Sequence, residues 1–263
     1  MTLLKELDSI IELLEAEIPA NQESPENKRH RRRMELGLER YFKKLEAAFP
    51  YQKLAAIYNG NVKESLGRDT RDILDPLLAT FDATLEKEMS GQLSEIYLSG
   101  QAEMITWGKT KGGIPIAYEG PPISGAVDWA AKQSAQLVTE MDATTKARLA
   151  RVIADGIENK RGVPGLAREI RSTFSDMTRY RSQLIARTET AGALSQASIT
   201  NMQDMGITGK EWVTAGDSDV SDECLANEAQ GPIPVGDSFS GGVSGPPQHP
   251  NCRCAVSPAM LSE

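Results

Sequence analysis

A mainly α-helical protein is predicted by three features of the sequence. Aromatic residues make up only 5% of the 263-residue chain, against 40% hydrophobic residues overall. A chain poor in Phe, Tyr and Trp but rich in Ala, Leu, Glu and Lys favours helices over a β-sandwich. Apolar residues recur at steps of three and four as far as about residue 210, and there the periodicity gives way to glycine and proline. The expected architecture is an N-terminal helical bundle, a second helical domain, and a Gly/Pro-rich C-terminal module with little regular structure and a few short strands. The length suits one large or two small domains with a real core.

The elements follow in order. Leu3, Leu7, Ile10 and Leu14 form a stripe at steps of four, three and four, which predicts a first helix of a bundle. Pro19 to Pro25 breaks it, and a basic run of Lys28, Arg29, His30, Arg31, Arg32 and Arg33 follows. Leu38, Phe42, Leu45 and Phe49 predict a second helix, and a short one reaches Ile57 and Tyr58. Asp75 and Pro76 read as an N-cap followed by proline at the first helical position, opening a helix to about Ser99. Residues 107–125, WGKTKGGIPIAYEGPPISG, form a punctuated connector with a short strand expected near Ile114 to Tyr118. A helix from Ala126 to Met141, another starting at an Asp142 N-cap, a short one with Leu166, Ile170 and Phe174, and a long one from Met177 to Met205 complete the helical part. Gly206 is the expected stop. The expected division is 1–106, connector 107–125, helical part 126–210 and Cys/His module 211–258.

Composition narrows the function. The net charge of −8 argues against a generally basic nucleic-acid coat but leaves room for a local basic patch. The N-terminus mixes acids with apolar residues and lacks the basic start and unbroken apolar run of a signal peptide. No stretch approaches about 18 apolar residues, so no membrane contact is expected. Three cysteines cannot close a disulfide framework, which suggests a reducing compartment.

Residues 213–256 hold all three cysteines, one of two histidines and few large apolar residues. Such a segment is either disordered or held by something besides a core. Cys224, His249, Cys252 and Cys254 offer three thiols and one imidazole, a set suited to one tetrahedral structural zinc. In an extended H-P-N-C-R-C segment Cys252 and Cys254 face one side and Arg253 the other. The competing readings are reduced, half-buried thiols and a disulfide from Cys224 to Cys252 or Cys254. Arg187, Thr188 and Glu189 lie on the last helix, where Glu189 shares a row with Ile185 and Gly192, and a structural ion pair with Arg181 or an arginine on another helix is expected. Lys28, Arg29, Arg31, Arg32 and Arg33 could touch nucleic-acid phosphates or form a solvated face paired with the acidic first helix. Gly108-Lys109-Thr110 lacks the first glycine and preceding strand of a phosphate loop, and no HExxH or Gly-x-Ser-x-Gly motif occurs.

The stretch from Trp129 through D-A-T-T-K to G-V-P-G-L-A-R-E-I, then L-I-A-R-T-E-T at 184–190, K-E-W-V-T-A-G-D at 210–217 and P-P-Q-H-P-N-C-R-C at 246–254, occur in that order. Over about residues 114–258 the chain resembles the phage Mu F-like family of minor head, or head morphogenesis, proteins. The resemblance implies a structural minor capsid component of a tailed phage, not an enzyme. It would be located in the virion at the head interior or portal vertex and in the host cytoplasm during assembly. Its implied partners are the portal protein and the major capsid or scaffold protein, with packaged DNA a further candidate. Where some relatives carry a second cysteine, this chain has Asn227. The alternative reading is a metal-dependent hydrolase or nuclease-like module that uses the thiols and His249 with Asp217 or Glu189.

Overall fold

The computed structural model describes residues 24–59, 66–112 and 123–261. The predicted Leu3–Leu14 helix and the predicted strand near Ile114 lie outside them. The helices are α1 (Pro25–Ala48), α2 (Tyr51–Asn59), α3 (Leu66–Ala79), α4 (Asp82–Thr110), α5 (Ile123–Glu158), α6 (Gly162–Asp176), α7 (Ser182–Asp204) and α8 (Asp222–Ala229). Strands β1 (Gly209–Val213), β2 (Ile233–Pro234) and β3 (Ala255–Ala259) complete the secondary structure. The protein is thus mostly helical with a few short strands.

The described residues form two compact units, each drawn from separated stretches. One takes residues from Arg31–Ser94 and Ser124–Ala186, the other from Met1–His30, Glu95–Ile123 and Arg187–Glu263. The first is built on helical stripes. Met34, Leu38, Phe42 and Leu45 of α1, with Phe49 just beyond its end, are all buried, at steps of four, four, three and four. Phe49 meets Phe174 of α6 edge to face at 5.9 Å. Gly156 makes room for Leu166, whose Cδ1 would stand 2.6 Å from a Cβ added there.

Two expected helix starts are absent. Pro76 lies inside α3, because the buried stripe Ile73, Leu74, Leu77 and Leu78 carries the helix through it. Asp142 lies inside α5, a single helix of 36 residues. Its buried row continues unbroken through Leu137, Met141, Thr145 and Leu149, so packing overrides the local capping signal. Asp142 instead accepts a hydrogen bond from Tyr41 Oη at 3.2 Å. Burial, followed by the charge of Asp82, pushes its carboxyl up to about 7. The short helix expected around Phe174 and the long one expected from Met177 are continuous: α6 runs to Asp176, and a π turn, Met177–Arg181, joins it directly to α7. From this turn Arg181 donates to Thr145 Oγ1 at 2.8 Å and to the Met141 carbonyl at 3.2 Å.

In the second unit α4 and α7 pack closely. A Cβ added at Gly100 would stand 3.1 Å from Leu194 and Ala197 side-chain atoms. Tyr97 Oη and Thr200 Oγ1 are 3.0 Å apart, and Asn201 Nδ2 donates to the Gln101 carbonyl at 2.9 Å. Gly206, at φ 71°, ends α7 as expected. The Ile207 N–H donates to the Met202 carbonyl and the Gly206 N–H to that of Gln203, which closes the helix and turns the chain into β1. β1 is the centre of an antiparallel sheet ordered β2-β1-β3, with Lys210 opposite Ile233 on one side and Pro258 on the other.

A candidate metal centre in the C-terminal module

The module from β1 onward is folded, not disordered, and it does have a core. Trp212, Cys224, Ile233, Phe239 and Cys252 are buried together, with Val220, Val243 and Cys254 against them. Alternation along β1 sends Lys210 and Trp212 to the same face, and Trp212 packs against Phe239 edge to face at 5.2 Å. Lys210 is fully buried with its Nζ 5.5 Å from the Phe239 ring centroid, and burial lowers its pKa.

Side-chain hydrogen bonds supply what this small core lacks. Ser221 caps α8 by accepting from the Cys224 N–H at 3.3 Å. Asn227 is fully buried; its Nδ2 donates to Gln248 Oε1 at 2.9 Å, and its Oδ1 accepts from the Gly241 N–H and from Ser240 Oγ at 2.8 Å each. Asn227 thus ties α8 to the chain at Ser240–Gly241 and at Gln248. Glu228 accepts from the Thr214 N–H at 2.8 Å and from its hydroxyl at 2.9 Å, tying α8 to the end of β1. The Asn227 and Glu228 pairings were not legible in the sequence, since each joins residues more than ten positions apart without a repeated spacing.

Three of the four predicted ligands, Cys224, His249 and Cys252, come together, and Cys254 is not part of that cluster. Cys224 Sγ lies 3.4 Å from His249 Nε2 and 3.7 Å from Cys252 Sγ. One ligand atom from each of these three residues lies within 4.8 Å of the others. Tetrahedral coordination at ordinary zinc bond lengths puts two sulfurs about 3.8 Å apart and a sulfur and an imidazole nitrogen about 3.6 Å apart. The observed spacings match, and the sulfur–sulfur distance is far longer than a disulfide bond. All three cysteines are free thiols. His249 Nδ1 lies 3.0 Å from the Pro250 carbonyl. Donation to that oxygen keeps the proton on Nδ1 and leaves the Nε2 lone pair for a metal, the usual arrangement around ligating histidines.

The fourth predicted residue, Cys254, is half-buried, and its thiol interacts with those of Cys252 and Cys224 and with the Trp212 indole. The cysteines divide their protons unequally. The hydrogen bond from Cys254, with backbone N–H groups of Cys254 and Gln248, draws Cys252 down to about 5 against the cost of burial. Cys254, as donor to that thiolate, is raised, and burial raises Cys224. The donor types and the spacing of Cys224, His249 and Cys252 thus fit a metal site. Arg253 points away, as the alternation predicts, and makes a two-pronged pair with Asp217 at 2.5 and 2.6 Å. That pairing holds the Asp217 carboxyl below the ordinary range and occupies the group that a hydrolytic centre would need as its base.

The other predicted residues are placed as follows. Arg187 and Thr188 of α7 bond to Asn251, which lies between His249 and Cys252. Glu189 is half-buried on the same helix. Arg181, one of its expected partners, bonds Thr145, the Met141 carbonyl, Thr144 and Met177. Lys28, Arg29, Arg31, Arg32 and Arg33 all lie on α1, where Arg32 bonds Glu35 at 2.6 Å and also reaches Glu39 at 3.4 Å. His30 lies 3.8 Å from Glu26 and 3.9 Å from Glu95.

Fold and site define a helical protein that ends in a small module with a Cys-His-Cys cluster able to hold a metal ion. Residues 136–257 match the family model of Phage Mu protein F like protein. That stretch is similar to the Mu F-like family, which suggests a phage head-related protein. No curated protein and no solved structure matches the chain. Among the described residues no helix is long and apolar enough to cross a membrane.

Proposed function

We propose that this protein is a structural minor component of a tailed-phage head, associated with the portal vertex during assembly, and that one zinc ion clips its C-terminal module. The Mu F-like stretch 136–257 is the observation that carries the head role. Its partners are the portal protein and the major capsid or scaffold protein, and it resides in the virion after passing through the host cytoplasm. The basic run at Lys28, Arg29, Arg31, Arg32 and Arg33 is its candidate contact with packaged DNA.

Cys224, His249 and Cys252 hold the zinc in this reading, with Cys254 as the fourth ligand. The spacing of the first three supports it. A closed four-ligand zinc is a cross-link, and it adds the stabilisation that the small core cannot provide. The head role is tested by expressing the full chain together with the portal protein of its own phage, and by mass spectrometry of purified heads. Co-purification with the portal and a few copies per head are expected. Absence from heads together with no portal binding overturns the reading.

A further inference from the structure

Arg187 and Thr188 are not metal ligands, yet both grip the loop that carries two of them. Arg187 Nη1 donates to Asn251 Oδ1 at 2.7 Å, and the Asn251 N–H donates to Thr188 Oγ1 at 2.9 Å. Asn251 has φ 65°, a left-handed conformation that most L-residues avoid and that is easiest for Asn and Gly. The Cys252 N–H then donates to the His249 carbonyl at 3.1 Å, which closes the turn between the two ligands. The same face of α7 seats the preceding chain. Gly192 lies against Pro247, and at Gly245 an added Cβ would stand 2.6 Å from Ser195 Oγ and 2.8 Å from Ile199 Cδ1. Thr188, Gly192, Ser195 and Ile199 are spaced by four, three and four, so one helical face supports residues 245–251.

We infer that Arg187 and Thr188 are positioning residues of the metal loop: they hold Asn251 left-handed, so that His249 and Cys252 on either side of it reach one metal ion. The inference rests on the zinc reading above and gives the R-T pair of α7 a role in it. Without the two bonds Asn251 relaxes toward negative φ, the turn opens, and one ligand leaves the set. Groups that orient metal ligands are typically worth about 10–100-fold in metal affinity.

The test uses the full-length protein. Zinc affinity is measured by chelator competition, and the visible spectrum of the cobalt-substituted protein reports ligand geometry. Thr188→Val keeps the shape of the side chain and removes the acceptor, Thr188→Ser restores it, and Arg187→Ala removes the second bond. Thr188→Val and Arg187→Ala should each weaken zinc binding by about tenfold or more and alter the cobalt bands. Thr188→Ser should stay near wild type, and the metal-free proteins should keep their helical circular dichroism and melting temperature. Zinc affinity within twofold of wild type in Thr188→Val, with unchanged cobalt bands, overturns the inference. A variant that loses melting temperature in the metal-free state but no zinc affinity also overturns it, in favour of plain structural support. Wild-type protein with less than about 0.2 zinc per chain sinks the zinc reading itself, an outcome seen before any α7 variant is made.

Discussion

The unit drawn from Arg31–Ser94 and Ser124–Ala186 and the module that follows α7 are held together in different ways. In the helical unit, long stripes such as Met34, Leu38, Phe42, Leu45 and Phe49 bury large side chains against one another. Each stripe is a repeated local pattern, and its contribution is spread over many residues. In the module, five buried residues form the core, two of them cysteines, and polar side chains such as Asn227 and Glu228 make the long-range ties. Stability there is concentrated in a few side chains. The helical unit should therefore decline gradually under substitution, whereas the module should fail at single positions.

The largest effect is expected from the thiols. Cys252→Ser should abolish stoichiometric zinc binding, and chelation of the wild type should do the same. In both cases residues 213–256 become protease-sensitive while helical circular dichroism is largely retained. A module that stays protected after complete zinc removal would break the comparison, because the small core would then suffice.

Phe42→Ala comes next, at about 3–5 kcal/mol by chemical denaturation. Amide exchange in 213–256 should be little changed in that variant, since Phe42 belongs to the helical unit. Asn227→Ala follows, at about 1–3 kcal/mol, because it leaves Gln248 and the Gly241 N–H without their partner in the module. If Asn227→Ala proved harmless, the weight given to the polar network would be misplaced.

The smallest effect is a pH dependence confined to the helical unit. Asp142 is raised to about 7 in the folded protein, by burial first and by Asp82 next. A carboxyl with a raised folded-state pKa binds more protons folded than unfolded between its ordinary value near 4 and about 7. Its contribution is fully present below that window and is lost as pH rises through 7. Asp142→Asn should therefore melt higher than wild type at pH 8, with the difference shrinking toward pH 4. An equal difference at both pH values would show that Asp142 is ionised throughout.

Helical class, the α1 stripe, the stop at Gly206 and the residue types of the Cys224–His249–Cys252 cluster were legible in the sequence alone. Each is a local property, carried by spacing, by turn chemistry or by the residue types that suit a metal. The sequence misplaced helix starts at Pro76 and Asp142, where capping signals of about 1 kcal/mol meet continuous buried rows. Only the tertiary structure decided those contests, because burial against distant residues outweighs a local preference. The tertiary structure also drew the two units from interleaved stretches of chain, turned Arg187 and Thr188 toward Asn251, and brought Cys224 within 3.7 Å of a thiol 28 residues away. Contacts across such separations leave no period in the sequence, since they are fixed by how the helices and the sheet pack and not by neighbouring residues.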